Sequence, residues 1–326
     1  MSGCPDELVL VTGGAGFLGR HLVRHLTERG RPVRVLDDLS TGDHAALPAG
    51  VELREGDVRD AAAVRSACEG ATTVVHMAGV VGMRLATAHR QLSFDVATIG
   101  TRNVIEATGE HVDLVLFSSS AVYGLNEAAV PMREAVAIPR SVPHAYDGGK
   151  DGYATGKWEM ERFGREAAMA GRRTLTVRPF NVVGDGQSSA YGMVMPTFLQ
   201  RALEGEPLVV YGDGRQRRCF SEVNTFTRAV FDLMATREAW TPGRNVVNVG
   251  STAETAILDL AHRVIAKVGS DSAIVHADYG SVFAGRRDVT HRVPDSTLLN
   301  SLVGEPGWMD VDMIITDILR KLVVKQ

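Results

Sequence analysis

Along the first 180 residues, short unbroken apolar runs alternate with amphipathic stretches. Leu8–Thr12 is apolar and enters a cluster of glycines, after which Leu18, Leu22, Val23 and Leu26 recur at helical spacing. Val33–Leu36 is a second run, ending at Asp37. Val51–Leu53 leads to Gly56-Asp57, Thr73–His76 to Met77-Ala78-Gly79, Leu114–Phe117 to a run of serines, and Thr174–Val177 to Arg178-Pro179. Strands that read as continuous apolar runs are buried on both faces, and helix-length spacers between them imply right-handed βαβ units. The pattern predicts an α/β fold built on a doubly wound parallel sheet. After about residue 182 the texture changes. Loops rich in Gly, Ser and Arg (Gly184–Gly192, Gly212–Arg218, Tyr279–Asp288) separate helical stretches such as Phe198–Leu203 and Ala256–Val268. This predicts one domain over residues 1–181 and a smaller C-terminal α/β region over 182–326, some of whose segments return to the sheet.

Composition narrows the class. The 326 residues are 44% hydrophobic and 23% charged, and the net charge of -4 argues against nucleic acid or an anionic membrane as the main partner. Cys4, Cys68 and Cys219 have neither disulfide-framework nor zinc spacing, so no metal and a reducing, cytoplasmic setting are expected. The N-terminus has no signal-peptide pattern, and no apolar stretch approaches the ~18 residues of a membrane span. Glycine is in excess, 34 residues in all, and much of it gathers at the predicted strand ends.

The first such cluster, Thr12–Gly19, places Gly14, Gly16 and Gly19 in G-x-G-x-x-G spacing between a strand and a helix. Glycines there permit a tight turn and let backbone amides approach a pyrophosphate at the helix N-terminus. Asp37, at the end of the second strand, suits a ribose 2′-hydroxyl and repels a 2′-phosphate, and Asp38 adds to that charge. The expected fold is therefore Rossmann-like and the expected cofactor NAD. Two Tyr-x-x-x-Lys matches follow, Tyr146…Lys150 and Tyr153…Lys157. At this spacing on a helix the ammonium lies beside the phenol and stabilises its anion, which allows tyrosine to act as a general base. Gly148, Gly149 and Gly152 interrupt the first match, whereas a good helical sequence follows Tyr153, so the second pair is favoured. Ser118-Ser119-Ser120, at the end of the fifth strand, offer hydroxyls for a substrate oxygen, and at least one is expected to serve the backbone instead.

In order along the chain, these segments resemble the extended short-chain dehydrogenase/reductase family, specifically its UDP-glucose 4-epimerase-like nucleotide-sugar epimerases and dehydratases. Thr12–Gly19, Asp37, Gly56–Val58, His76–Gly79, Ser118–Gly124, Tyr153…Lys157, Arg178–Gly184 and Gly212–Phe220 carry the resemblance. It implies a cofactor site of Gly13, Gly16, Phe17, Leu18, Asp37, Asp38, Leu39, Thr41, Gly42, Asp57, Val58, Met77, Ala78, Gly79, Ser118, Tyr153, Lys157 and Phe180. It makes Ser119, four residues before Tyr123, the catalytic hydroxyl beside Tyr153 and Lys157. Glu161, four residues after Lys157, matches a family glutamate that has no counterpart after Lys150. For the substrate it implies Ser119, Ser120, Asn181 and Arg218 (the last two on the diphosphate), Met193, Val194, Val209 and Tyr211 near the base, and Asp288 on the ribose. It also implies a homodimer through roughly Ser93–Ala107 and Tyr153–Ala168.

Within the family, 4,6-dehydratases carry Asp-Glu after the catalytic hydroxyl and glucuronate decarboxylases a Glu at the second position; Ser120-Ala121 stand here. The expected reaction is therefore 4-epimerisation of a nucleotide sugar, a UDP-hexose, by transient oxidation at C4 and return of hydride without facial preference. A 4-ketoreductase or dehydrogenase, a UDP-glucuronate decarboxylase and a 4,6-dehydratase are the alternatives, with a non-enzymatic NAD sensor behind them. Val81, Ala97, Val183 and Asn224 depart from the family pattern and point to a specialised sugar. The glycines of the 139–152 insertion, with Gly156, suggest a lid.

Overall fold

The computed structural model describes residues 7–125, 130–135, 138–147, 152–282 and 288–324. Cys4, Gly148, Gly149 and Lys150, singled out by the sequence, lie outside them, as do Arg286 and Arg287 of the arginine-bearing Tyr279–Asp288 loop and the side chain of Tyr146. The strands are β1 (Leu8–Thr12), β2 (Val33–Asp37), β3 (Glu52–Glu55), β4 (Ala71–His76), β5 (Asp113–Phe117), β6 (Thr174–Pro179), β7 (Val182–Val183), β8 (Leu208–Tyr211), β9 (Arg217–Cys219), β10 (Ser221–Glu222), β11 (Val246–Val249), β12 (Glu254–Ala256), β13 (Ile274–Ala277) and β14 (His291–Arg292). The helices are α1 (Phe17–Glu28), α2 (Ala61–Cys68), α3 (Met83–Ala88), α4 (Arg90–Ala107), α5 (Ser141–Asp147), α6 (Tyr153–Met169), α7 (Val194–Leu203), α8 (Val223–Ala235), α9 (Ile257–Val268), α10 (Tyr279–Val282), α11 (Thr297–Val303) and α12 (Val311–Val324).

Seven strands form one parallel sheet in the order β11-β6-β5-β4-β1-β2-β3. The order reverses between β1 and β4, and at that switch the chain leaves the two strands toward opposite sides and opens a crevice. Strand alternation builds a core on each face. Val9, Val11, Val35, Val75 and Val115 pack toward α1 and α8 with Leu22, Leu26, Phe226 and Val230. Leu10, Leu36, Val74 and Leu114 pack toward α2 and α4 with Val64, Val96 and Val104. Full burial of each such side chain stabilises the fold by roughly 1.5–3 kcal/mol before entropy is counted. The C-terminal half supplies β11 and α8 to this layer, and builds a third core from α7, α9 and α12 around Phe198, Leu208, Leu260, Val264 and Ile315. Short sheets β8–β13, β7–β10 and β12-β9-β14 bring that unit over the carboxyl ends of the main strands.

Helices α4 and α6 pack closely because Gly156 lies between them: a Cβ there would stand 3.1 Å from the Ala97 Cβ and 3.3 Å from the Phe94 Cα. Gly156 is thus a helix-packing residue, where the sequence suggested a lid. Helix α5, two residues of which lie in the first Tyr-x-x-x-Lys match, ends at Asp147, whereas α6 begins at Tyr153 and runs 17 residues.

Candidate functional site

A cleft of about 750 Å³ runs along the carboxyl ends of the sheet beneath the C-terminal unit, within the usual range for small-molecule sites. The Thr12–Gly19 turn forms its floor. Gly13 has φ +70°, and a Cβ on it would come within 2.7 Å of the Ala78 backbone; a Cβ on Gly19 would stand 2.2 Å from the Gly13 carbonyl. Gly16 caps α1 in extended conformation with no side chain across the first turn, so the amides that lack intrahelical partners face the cleft uncovered. Asp37 is buried, its Oδ2 accepting from the Ala15 amide at 2.9 Å and its Oδ1 from the Leu39 amide at 2.9 Å. Burial pushes its carboxyl up, while those amides favour the anion. A carboxylate has about four acceptor positions, so two amides leave capacity for ribose hydroxyls. Asp57 is held by Arg59 at 2.5 Å, and this pairing pulls its carboxyl down. Bare amides at a helix start, glycines that leave the turn open and a fixed acid at the end of β2 together fit a dinucleotide with an unphosphorylated adenosine ribose.

Across the cleft, Lys157 is buried one turn into α6. Its Nζ donates to the Phe117 carbonyl at 2.7 Å and stands 6.0 Å from the centroid of the Tyr153 ring. Burial pushes the ammonium down to about 8. His76 beneath it is pushed down to about 3 by burial and by Lys157, so it stays neutral, with Nδ1 at 2.7 Å from the Thr12 hydroxyl. Ser119 is half-buried at the start of the Ser120–Tyr123 3-10 turn, where its Oγ accepts from the Ala121 amide at 3.1 Å and retains its own proton to donate. Ser118 does not share that freedom: its hydroxyl donates to Glu161 Oε1 at 2.5 Å.

The structure brings most of the expected residues together. Of the cofactor set, Gly13, Gly16, Phe17, Leu18, Asp37, Asp38, Thr41, Asp57, Val58, Met77, Ala78, Gly79, Ser118, Tyr153 and Lys157 line the cleft. Leu39 and Gly42 stand behind Asp37, Gly42 so close that a Cβ would lie 2.9 Å from the Asp37 Oδ1. The Phe180 side chain is fully buried with Met132 and Cys219, away from the cleft. Every expected substrate residue, Ser119, Ser120, Asn181, Met193, Val194, Val209, Tyr211, Arg218 and Asp288, lines it. Asn181 adopts φ +38°, and its Nδ2 donates to the Cys219 carbonyl at 2.9 Å and to the Cys219 Sγ at 3.8 Å, which fixes the side-chain amide at the cleft wall. The Arg218 guanidinium is aimed by Asp288 at 2.9 Å and by the Val289 carbonyl at 2.6 Å. Motif reading missed Arg20, Arg84, Tyr279 and Arg292, which also line the cleft, as does Tyr191 at the head of the Tyr191–Pro196 segment that resembles the family's base-flanking stretch. Tyr279 meets Tyr211 edge-on at 6.0 Å, and the Arg84 amide donates to the Tyr191 carbonyl where two loops cross. Only Arg20, directly after Gly19, carried a positional signal. Among the described residues no group of acidic, His or Cys side chains could hold a metal ion, and no helix is long and apolar enough to cross a membrane.

Known proteins share this architecture. The profile of the NAD dependent epimerase/dehydratase family matches residues 9–250. A UDP-N-acetyl-alpha-D-glucosaminuronate decarboxylase of Bacillus cytotoxicus is 29% identical over 299 residues, covering 90% of each chain. A dTDP-4-dehydro-6-deoxy-D-allose reductase of a Streptomyces species is 32% identical over 280 residues, 82% of each chain. The UDP-glucose 4-epimerase of Thermus thermophilus, solved in complex with NAD, superposes with a TM-score of 0.82 at 26% identity, over 96% of this chain and 98% of that one. With its glycine turn, Asp37 and Tyr153…Lys157 in one cleft, the chain belongs to the NAD-dependent epimerase/dehydratase family of nucleotide-sugar enzymes.

Proposed function

We propose that the protein is an NAD-dependent nucleotide-sugar 4-epimerase acting on a UDP-hexose. The observation that carries this reading is the grouping of Ser119, Tyr153 and buried Lys157 beyond the end of β5, with Ala121 offering no acid or base for elimination of water. Bound NAD supplies reversible hydride acceptance at C4. Tyr153 takes the proton from O4 and later returns it, while Ser119 donates a hydrogen bond to that oxygen. Lys157 stabilises the phenolate. Asn181 and Arg218 hold the diphosphate so that the sugar can present either face, a guanidinium fork suiting two phosphate oxygens. Met193, Val194, Val209 and Tyr211 flank the base. We further propose a homodimer through the outer faces of α4 and α6, where Ile99 is exposed, in a cytoplasmic setting that suits the buried free thiols Cys68 and Cys219.

A second reading, decarboxylation of a nucleotide uronate, is favoured by Arg292. Its guanidinium lines the cleft with Nη2 at 3.5 Å from the Gly124 carbonyl, beside the serine turn, where it suits a carboxylate. A 4-keto uronate is a β-keto acid and loses CO2 without a further base, so Ala121 does not oppose this reading. The experiment compares Tyr153→Phe with Tyr146→Phe. Turnover lost only in Tyr153→Phe, with NAD retained, supports the assignment; loss confined to Tyr146→Phe overturns it. Evolution of CO2 from a UDP-uronate separates the two reactions.

A further inference from the structure

The catalytic hydroxyl sits on a short turn whose two ends are tied to a buried polar chain. Ser118 donates to Glu161 Oε1 at 2.5 Å, and Glu161 receives Arg178 through both oxygens, at 2.8 Å from Nε and 2.7 Å from Nη2. The remaining Arg178 amine donates to the Tyr123 hydroxyl at 2.7 Å, and Tyr123 donates in turn to Asn248 Oδ1 at 2.8 Å. Asn248 spends its Nδ2 on the Met132 carbonyl and its backbone amide on Glu134 Oε1, so its orientation is fixed and the donor directions are consistent throughout. Met132 donates its own amide to the Val293 carbonyl, next to Arg292 of the cleft wall. Lys157 adds a third tie at Phe117.

Glu161 and Arg178 are almost entirely buried, 2% and 3% exposed. Burial alone would raise the Glu161 carboxyl, but Arg178 overrides it and holds it low; the partnership likewise raises Arg178. Replacing a buried ion pair by apolar residues is often neutral or stabilising, so its presence is weak evidence for a stability role. What this one does geometrically is specific: Ser119 is bracketed by Ser118 and Tyr123, and both are fastened to the helix that carries Tyr153 or to the neighbouring strand β6.

We propose that Glu161, Arg178 and Tyr123 are positioning residues that hold Ser119 at its working distance from Tyr153 and couple the serine turn to the Met132–Glu134 segment. The proposal rests on the C4-oxidising reading of the site. An ångström of misplacement at a reacting centre can cost about 100-fold in rate, so the expected losses are large for contacts that never touch substrate.

Tyr123→Phe removes one hydroxyl and keeps the ring against Phe180. In the NAD-retaining protein it is expected to lower kcat by about 10-fold or more while KM moves by less than about 2-fold. In a Ser119→Ala background the same change should add less than about 2-fold, because its route to the chemistry is gone. Amide exchange over Phe117–Gly124 and over Met132–Glu134 should quicken, with protection elsewhere unchanged. Glu161→Gln is expected to behave alike; where it fails to fold, Tyr123→Phe carries the test. Unchanged exchange over either segment, or full losses in both backgrounds, overturns the proposal. A parent protein that turns over no nucleotide sugar defeats the functional reading alone, and the exchange measurement still decides the positioning claim.

Discussion

Replacing Lys157 by methionine separates its electrical role from its structural one. The ammonium stands 6.0 Å from the Tyr153 ring centroid. At an effective dielectric near 20, a charge pair at that distance is worth about 2.8 kcal/mol, or roughly 100-fold in the population of phenolate. Turnover near pH 7 should therefore fall about 100-fold, and the acid limb of the rate profile should move up by about two pH units. Stability should move the other way. Burial depresses the ammonium from 10.5 to about 8, which corresponds to about 3 kcal/mol of unfavourable burial at neutral pH. The lost bond to the Phe117 carbonyl offsets about 1 kcal/mol of the gain. The sign with pH follows from the lower folded value. Between pH 8 and 10.5 the unfolded chain holds this proton and the folded one does not, so parental stability rises with pH there and the advantage of Lys157→Met fades. In the parent, deprotonation above about pH 8 should also bring an alkaline fall in rate. Chemical denaturation and rate profiles of both proteins from pH 6 to 10 make the assay. A loss of less than about 5-fold, or a destabilised variant with an unmoved acid limb, would refute the electrostatic role.

Two further outcomes follow from the geometry. Asp37→Ser removes an anion that receives two amides and is placed for ribose hydroxyls, so retained NAD should weaken about 10- to 100-fold while NADP becomes tolerated; calorimetric titration of stripped protein measures both. Gly156→Val forces a branched side chain against Ala97 and Phe94, and should cost about 1–3 kcal/mol despite better helix propensity, read as a melting temperature lowered by several degrees.

The alternation of strand and helix was legible because each strand buries both faces and so reads as an apolar run; Val9, Leu10 and Val11 are fully buried although successive side chains point to opposite sides. The residues lining the cleft were legible wherever a motif is local, as with Gly13–Gly19 or Tyr153…Lys157. What escaped is made by partners far apart in the chain. Ser118 reads like Ser119 in sequence and both line the cleft, yet the Ser118 hydroxyl is spent on Glu161, 43 residues on, while the Ser119 hydroxyl accepts only from the nearby Ala121 amide. The contact from Tyr123 to Asn248 spans 125 residues, and nothing in either neighbourhood announces it. Gly156, just beyond a glycine-rich loop, suggested a lid because its actual reason, the approach of α4, lies far away in the chain. Phe180 turns inward against Met132 and Cys219, while the adjacent Asn181, in a left-handed conformation, lines the cleft, a difference that depends on tertiary partners.

The 4-epimerase activity is tested most directly by incubating the purified protein, with no added cofactor, with UDP-, dTDP- and GDP-hexoses and following C4 by NMR. Release of NAD on denaturation together with equilibration of the two C4 epimers of a UDP-hexose is the predicted result. Protein that retains no NAD and leaves every sugar unchanged, or that turns over only by consuming added NADH or NADPH, would contradict it.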